Sequence, residues 1–397
     1  MAWATLMKLR EALVERAGEI FARRNRPAPG ESPIKGEDLT SEQLESVTAG
    51  VFEELGNMDQ TPVQHEMPED TTLEQTGAKD ARIATGGKEK ERFTLCLAVT
   101  GDGKKVPLRI IFKGTPFIPP DRPGKGKATQ PRKNSIAWEM LPENRSKNGY
   151  PVGGMSFGVQ DKSWCDLREC KLWIKHGWTL RPNNGSLVKQ RSCILVLDDF
   201  KCHKDDTFIA ELKRQANTIV IFIPGGLTPL LQPLDRMLNK QMKRLLQGMY
   251  TNYQASSQAD PETGKLKPPG RGRVAAWCKQ AWASITADTV KTCFKICSLT
   301  LALDGSEDHA WCMHNFGEGY RQLLEQQRAE WLAKHPDNTL PPLKLPDIPA
   351  SDTNHIEAAA KELEAKLLPR GDDSDVEIVD DDSDVEVIEG DGDVVEL

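Results

Sequence analysis

The chain contains no apolar stretch near the roughly 18 residues that a membrane-spanning helix needs, and its start shows no secretory-type apolar run. Those absences predict a soluble intracellular protein with no membrane partner. None of the nine cysteines forms a Cys-x2-Cys pair, which argues against both a disulfide framework and a structural zinc site. Two looser sets could suggest zinc: Cys165, Cys170 and His176, and Cys293, Cys297, His309, Cys312 and His314. Their helical, apolar surroundings favour buried free thiols instead. Charge is unevenly shared along the chain. Residues 371–397 hold 13 of the 59 Asp and Glu residues and no Lys or Arg, so the remainder carries 46 acidic against 52 basic residues. An acidic tail on a mildly basic body suggests nucleic-acid contact.

Within that body, helical spacing of Leu6, Leu9, Leu13, Val14, Ala17 and Ile20 predicts an amphipathic helix over 3–24. A Pro/Gly break at 27–35 and a short helix over 41–50 follow. Residues 92–100 and 106–112, around Gly101-Asp102-Gly103, predict a β-hairpin. Further helices are expected over 163–176, 205–215, 236–249, 274–287 and 317–334, with buried strands at 194–197 and 218–223. The order hairpin, then strand–helix–strand–helix, predicts a mixed α/β sheet covered by helices.

The two later strands lead toward acids. Ile194-Leu195-Val196-Leu197 runs into Asp198, and Thr218–Ile223 continues through a Gly-Gly turn to Leu231-Gln232-Pro233-Leu234-Asp235. Acids delivered by neighbouring strand ends make a candidate divalent-metal pair, since Mg²⁺ prefers hard oxygen ligands. Asp59, ahead of Thr61-Pro62, is the best third candidate. The plainer reading is that Asp235 caps its helix and Asp59 starts a turn.

Several motifs occur in order: Asn57-Met58-Asp59-x-Thr61-Pro62-Val63; Gly101-Asp102-Gly103-Lys104 with Ile111-Phe112-Lys113-Gly114; Asp198-x-Phe200-x-x-His203; Leu230-Leu231-Gln232-Pro233-Leu234-Asp235; and Leu303-Asp304-Gly305-Ser306-Glu307-Asp308. Together they resemble the pogo/Tigger-type DDE transposases and their domesticated relatives, over about residues 45–310. The resemblance implies an RNase H-like core in which Asp59, Asp198 and Asp235 bind two Mg²⁺, or Mn²⁺, and cut DNA. It also places the protein in the nucleus.

Two departures stand out. Gln60 occupies a position where such families usually carry Glu, and about fifty residues ahead of the core are too few for two helix-turn-helix units. The 3–24 helix is therefore expected to pack on the core rather than read DNA, with sequence-specific end recognition lost. Gln60 and His203 are accessory candidates, His203 either positioning substrate or water, or packing under the sheet edge.

For DNA backbone contact the candidates are Lys113, Lys125, Lys127, Arg132 and Lys133 in a loop, and Lys240, Lys243 and Arg244 on a helix. A solvated surface loop is the plainer reading of the first set. The tail repeats a nine-residue unit, Asp372–Asp380 and Asp381–Glu389. Its composition predicts disorder in isolation. Val376, Ile378, Val379, Val385, Val387 and Ile388 give it β-prone units beside acids, which resemble SUMO-interacting motifs and could add a strand to a partner's sheet. A solubilising tail is the simpler alternative. The expected organisation is a helical segment (1–50), an endonuclease-like domain (51–335), a Pro-rich linker with a short helix (336–370) and the tail (371–397). The expected role is a DNA-cutting enzyme or a silent adaptor that recruits SUMO-modified proteins.

Overall fold

The computed structural model describes residues 2–27, 32–68, 85–119, 129–182 and 191–307, together with residue 333. The expected tail motifs, the short helix of the 336–370 linker, all of the 317–334 helix but residue 333, and Lys125 and Lys127 lie outside the described residues.

Among the described residues, six strands form one sheet: β1 (Leu55–Gln64), β2 (Arg92–Thr100), β3 (Leu108–Lys113), β4 (Met155–Gln160), β5 (Cys193–Leu197) and β6 (Thr218–Phe222). Their order is β4-β3-β2-β1-β5-β6. The β2 strand runs antiparallel to β1 and β3, while β4 pairs parallel with β3 and β5 lies parallel to both β1 and β6. Five strands therefore point one way, and their C-terminal ends share one edge of the sheet. This is the mixed, RNase H-like architecture that the motifs implied.

Among the described residues, seven longer helices cover the sheet: α1 (Ala2–Arg24), α2 (Ser41–Glu53), α3 (Leu167–His176), α4 (Asp206–Ala216), α5 (Asn239–Ser256), α6 (Arg271–Ser284) and α7 (Ala287–Ile296). One apolar layer joins Leu95, Leu97, Val99 and Ile110 of the sheet to Leu13, Ala17 and Ile20 of α1, Met242 and Leu246 of α5, and Phe294 of α7. The opposite layer joins Met58, Cys96, Leu195 and Leu197 to Trp173 of α3 and Phe208 and Leu212 of α4. The first helix is thus a packing helix, and its buried stripe follows the helical spacing of the sequence. Cys165, Cys170, Cys293 and Cys297 are buried free thiols.

Three expectations need correction, and one strand had none. Asp59 starts no turn: it lies inside the ten-residue β1. Pro62 is tolerated there because β5 pairs only with Leu55–Asn57, which leaves the later half of β1 at an edge. Asp235 is not delivered by a strand end, because β6 stops at Phe222 and Asp235 falls in a π-helical turn, Leu234–Leu238, that leads into α5. The helix expected over 274–287 is α6, which ends at Ser284, and Thr286 then caps a separate α7. Finally, β4 was not foreseen, because Met155-Ser156-Phe157-Gly158 lacks a β-branched run.

Candidate active site

Alternation along β1 sends Leu55, Asn57 and Asp59 to one face and Gly56, Met58 and Gln60 to the other. Asp59 and Gln60 therefore serve different neighbourhoods. The parallel β1–β5 register ends with Asn57 opposite Val196, and Asp59 and Asp198 each stand two residues beyond that last pair. Buried Asn57 ties the third acid to this edge. Its amide donates to the Val196 carbonyl at 3.0 Å and to Gln232 Oε1 at 2.8 Å, while the Leu234 N–H donates to Asn57 Oδ1 at 3.3 Å. Gln232 returns a bond to the Met58 carbonyl. These bonds hold the Gln232-Pro233-Leu234-Asp235 turn against β1.

Asn239, one helical turn after Asp235, bridges two of the acids. Its Nδ2 donates to Asp59 Oδ2 at 2.5 Å and to Asp235 Oδ1 at 2.8 Å, while its own buried Oδ1 has no partner. Asp59 is 5% exposed. Burial holds its carboxyl well above the ordinary range. Asp235 adds to this by charge and side-chain contact, Asn239 works against it, and Asp198 contributes a smaller upward push.

The donor set suits a hard divalent cation: two carboxylates in contact, a third nearby and an orphaned amide oxygen. Among the described residues, no group of three or more acidic, histidine or cysteine side chains is already gathered as a metal cage.

Asp198 is held from the other layer of the sheet. Its Oδ1 lies 2.5 Å from His203 Nδ1, and His203 Nε2 lies 2.9 Å from Gln60 Nε2. Both accessory candidates thus contact Asp198 or each other, but neither reaches Asp59 or Asp235 in the bonds described.

Of the basic candidates, Lys243 feels both Asp235 and Asp59. Much of its surface is exposed, yet the protein around it lowers its pKa while the two acids raise it. Arg92, which sequence reasoning missed, opens β2 at the same edge and repels Lys243. Lys113 is exposed at the end of β3, on that edge too. Arg132, Lys133 and Lys240 are exposed, and Arg244 is half-buried.

The DDE superfamily endonuclease profile matches residues 90–294, just over half of the chain. The chain belongs to the DDE superfamily of endonucleases. The match takes in Asp198 and Asp235 but starts after Asp59. Two relatives are named "Pogo transposable element with KRAB domain", from Mus musculus and Homo sapiens. Each is 30% identical over 259 residues, which is 65% of this chain and 37% of the relative. The chain therefore spans little more than a third of their length. These matches agree with the pogo/Tigger-type resemblance of the motifs. Among solved structures, the catalytic domain of Mos1 mariner transposase overlays at a TM-score of 0.33 with 10% identity, covering 73% of this chain and 91% of that one. A Mos1 mariner paired end complex with Mn gives 0.35 and 11%, covering 72% and 68%. Such overlays are loose, and the strand order above carries the fold assignment.

Proposed function

We propose that this DDE endonuclease domain binds DNA and cuts phosphodiester bonds with Mg²⁺ or Mn²⁺ held by Asp59, Asp198 and Asp235. The bridge from Asn239 to Asp59 and Asp235 carries this reading. It presses the exposed carboxylate of Asp235 against the buried carboxylate of Asp59, an arrangement that a divalent cation would relieve. When bound, such an ion would activate a water and stabilise the oxygens of the phosphate being cut. Asn57 and Gln232 keep the acid-bearing turn in place, and Asn239 sets the spacing of two carboxylates. Lys243, Arg92 and Lys113 rim the same edge and would hold the DNA backbone by charge, without reading sequence. Lys125, Lys127, Arg132, Lys133, Lys240 and Arg244 are further candidates for that contact.

Nicking of supercoiled plasmid in Mn²⁺ by the purified chain tests this. Asp198→Ala is expected to lower the rate by about 100-fold, at the strong end for disturbing a metal's surroundings. Equal nicking by both proteins would reject the catalytic reading.

The repeated tail supports a second reading: a catalytically silent nuclear adaptor that recruits SUMO-modified proteins through Val376, Ile378, Val379, Val385, Val387 and Ile388. Absence of nicking with either metal, together with SUMO capture by the full chain, would favour it.

A further inference from the structure

His203 looks by type like a general base or a direct metal ligand, and its surroundings argue against both roles. It is 1% exposed, and both ring nitrogens are engaged, Nδ1 with Asp198 Oδ1 and Nε2 with the Gln60 amide. The ring stands between two aromatics, stacked on Phe208 with centroids 5.9 Å apart and meeting Phe200 edge-on at 5.6 Å. The backbone N–H of His203 donates to the Phe200 carbonyl at 2.9 Å. The imidazole is therefore fixed in place and shut away from any DNA strand.

We infer that His203 is a positioning residue that fixes Asp198 for metal binding, with Gln60 setting its tautomer. Gln60 offers an amide N–H to Nε2, so Nε2 accepts and the ring proton sits on Nδ1, where it is donated to Asp198. The Phe200 N–H also approaches Asp198 Oδ1, at 3.4 Å. Both contacts go to Oδ1, which leaves Oδ2 as the oxygen open to a ligand among the described residues. Gln60 leaves β1 on the face opposite Asp59, so it acts on the acids only through the histidine. Gln60 thus has a definite task here. An amide can donate to Nε2, whereas a carboxylate could only accept.

This inference rests on the reading of Asp198 as a metal ligand. Hydrogen-bonded partners behind a metal's ligands typically change metal affinity by about 10–100-fold when removed. Mn²⁺ binding to the full chain, followed by electron paramagnetic resonance, is the readout, with thermal melting as the check on folding. His203→Phe keeps the aromatic stack and removes Nδ1–H, and it should weaken Mn²⁺ binding by about 10–100-fold. His203→Asn, which returns an N–H near the Nδ1 position, should recover most of that loss. Unchanged binding in His203→Phe would overturn the inference while leaving the metal reading intact. A wild-type chain that binds no Mn²⁺ would overturn both.

Nitrogen-15 chemical shifts of His203 in the wild-type chain give a second measurement that needs no variant. The proton is expected on Nδ1, and finding it on Nε2 would refute the arrangement.

Discussion

At the scale of residues, the acids were legible to different degrees. Asp198 could be read because an unbroken apolar run ends directly before it. Asp59 could be placed only by motif, since Gly56, Asn57 and Pro62 disguise β1 as a turn. Asn57, Gln232 and Asn239 were legible as letters but not as parts, because their partners lie between 139 and 180 residues away in sequence. The Asn239–Asp235 spacing of four on one helix was the only local signal.

The raised pKa of Asp59 has a definite sign. The unfolded chain ionises this group near the usual value of about 3.9, while the fold resists ionisation until a higher pH. The metal-free protein therefore loses stability as pH rises from about 4 through the folded pKa. Asp59→Asn should raise the metal-free thermal stability at pH 7 by about 0.5–2 kcal/mol, with the gain shrinking toward pH 4. It should also abolish stabilisation by Mn²⁺, which in the wild type at 100 times Kd is worth about 2.7 kcal/mol. Differential scanning fluorimetry across pH, with and without Mn²⁺, checks both outcomes.

At the scale of elements, the sheet was legible where apolar runs were continuous and invisible where a buried ion pair did the work. Arg109 on β3 and Glu169 on α3 are 2% and 0% exposed as side chains, with the guanidinium Nε 3.0 Å from the carboxylate. Arg168 meets the other oxygen of Glu169. Gly158 in β4 passes so close that a Cβ there would lie 2.2 Å from Glu169 Oε2. An arginine in a predicted strand reads as an edge feature, so neither β4 nor this pair could be expected. Removing the acid leaves Arg109 buried without its partner. Glu169→Ala should cost about 3–5 kcal/mol in urea unfolding, far more than a surface substitution.

The first helix illustrates the opposite case. Its apolar stripe was plain in the sequence, and Leu6, Leu13, Ala17 and Ile20 are all buried against the sheet and α2.

At the scale of the whole molecule, the hairpin-first element order constrained the sheet, and the family profile confirmed its descent without reaching the first acid. Long-range closure was not legible. His65, just after β1, is buried and donates from Nε2 to the Pro269 carbonyl at 2.8 Å, pinning the approach to α6 against the sheet end. Burial lowers its pKa from the usual 6.5, outweighing the help of that carbonyl. A depressed histidine contributes stability that is present above pH 6.5 and is lost as pH falls through its folded value. Unfolding free energy should therefore decline below about pH 6.5. His65→Gln should flatten that part of the curve, as urea titrations at stepped pH would show.

The central claim is that the acids at the shared strand edge form a divalent-metal site. Anomalous diffraction from crystals of the chain grown with Mn²⁺ tests it most directly. The account predicts a manganese peak between the carboxylates of Asp59 and Asp235, within reach of Asp198. Manganese bound elsewhere, with Asn239 still bridging two unoccupied acids, would contradict it.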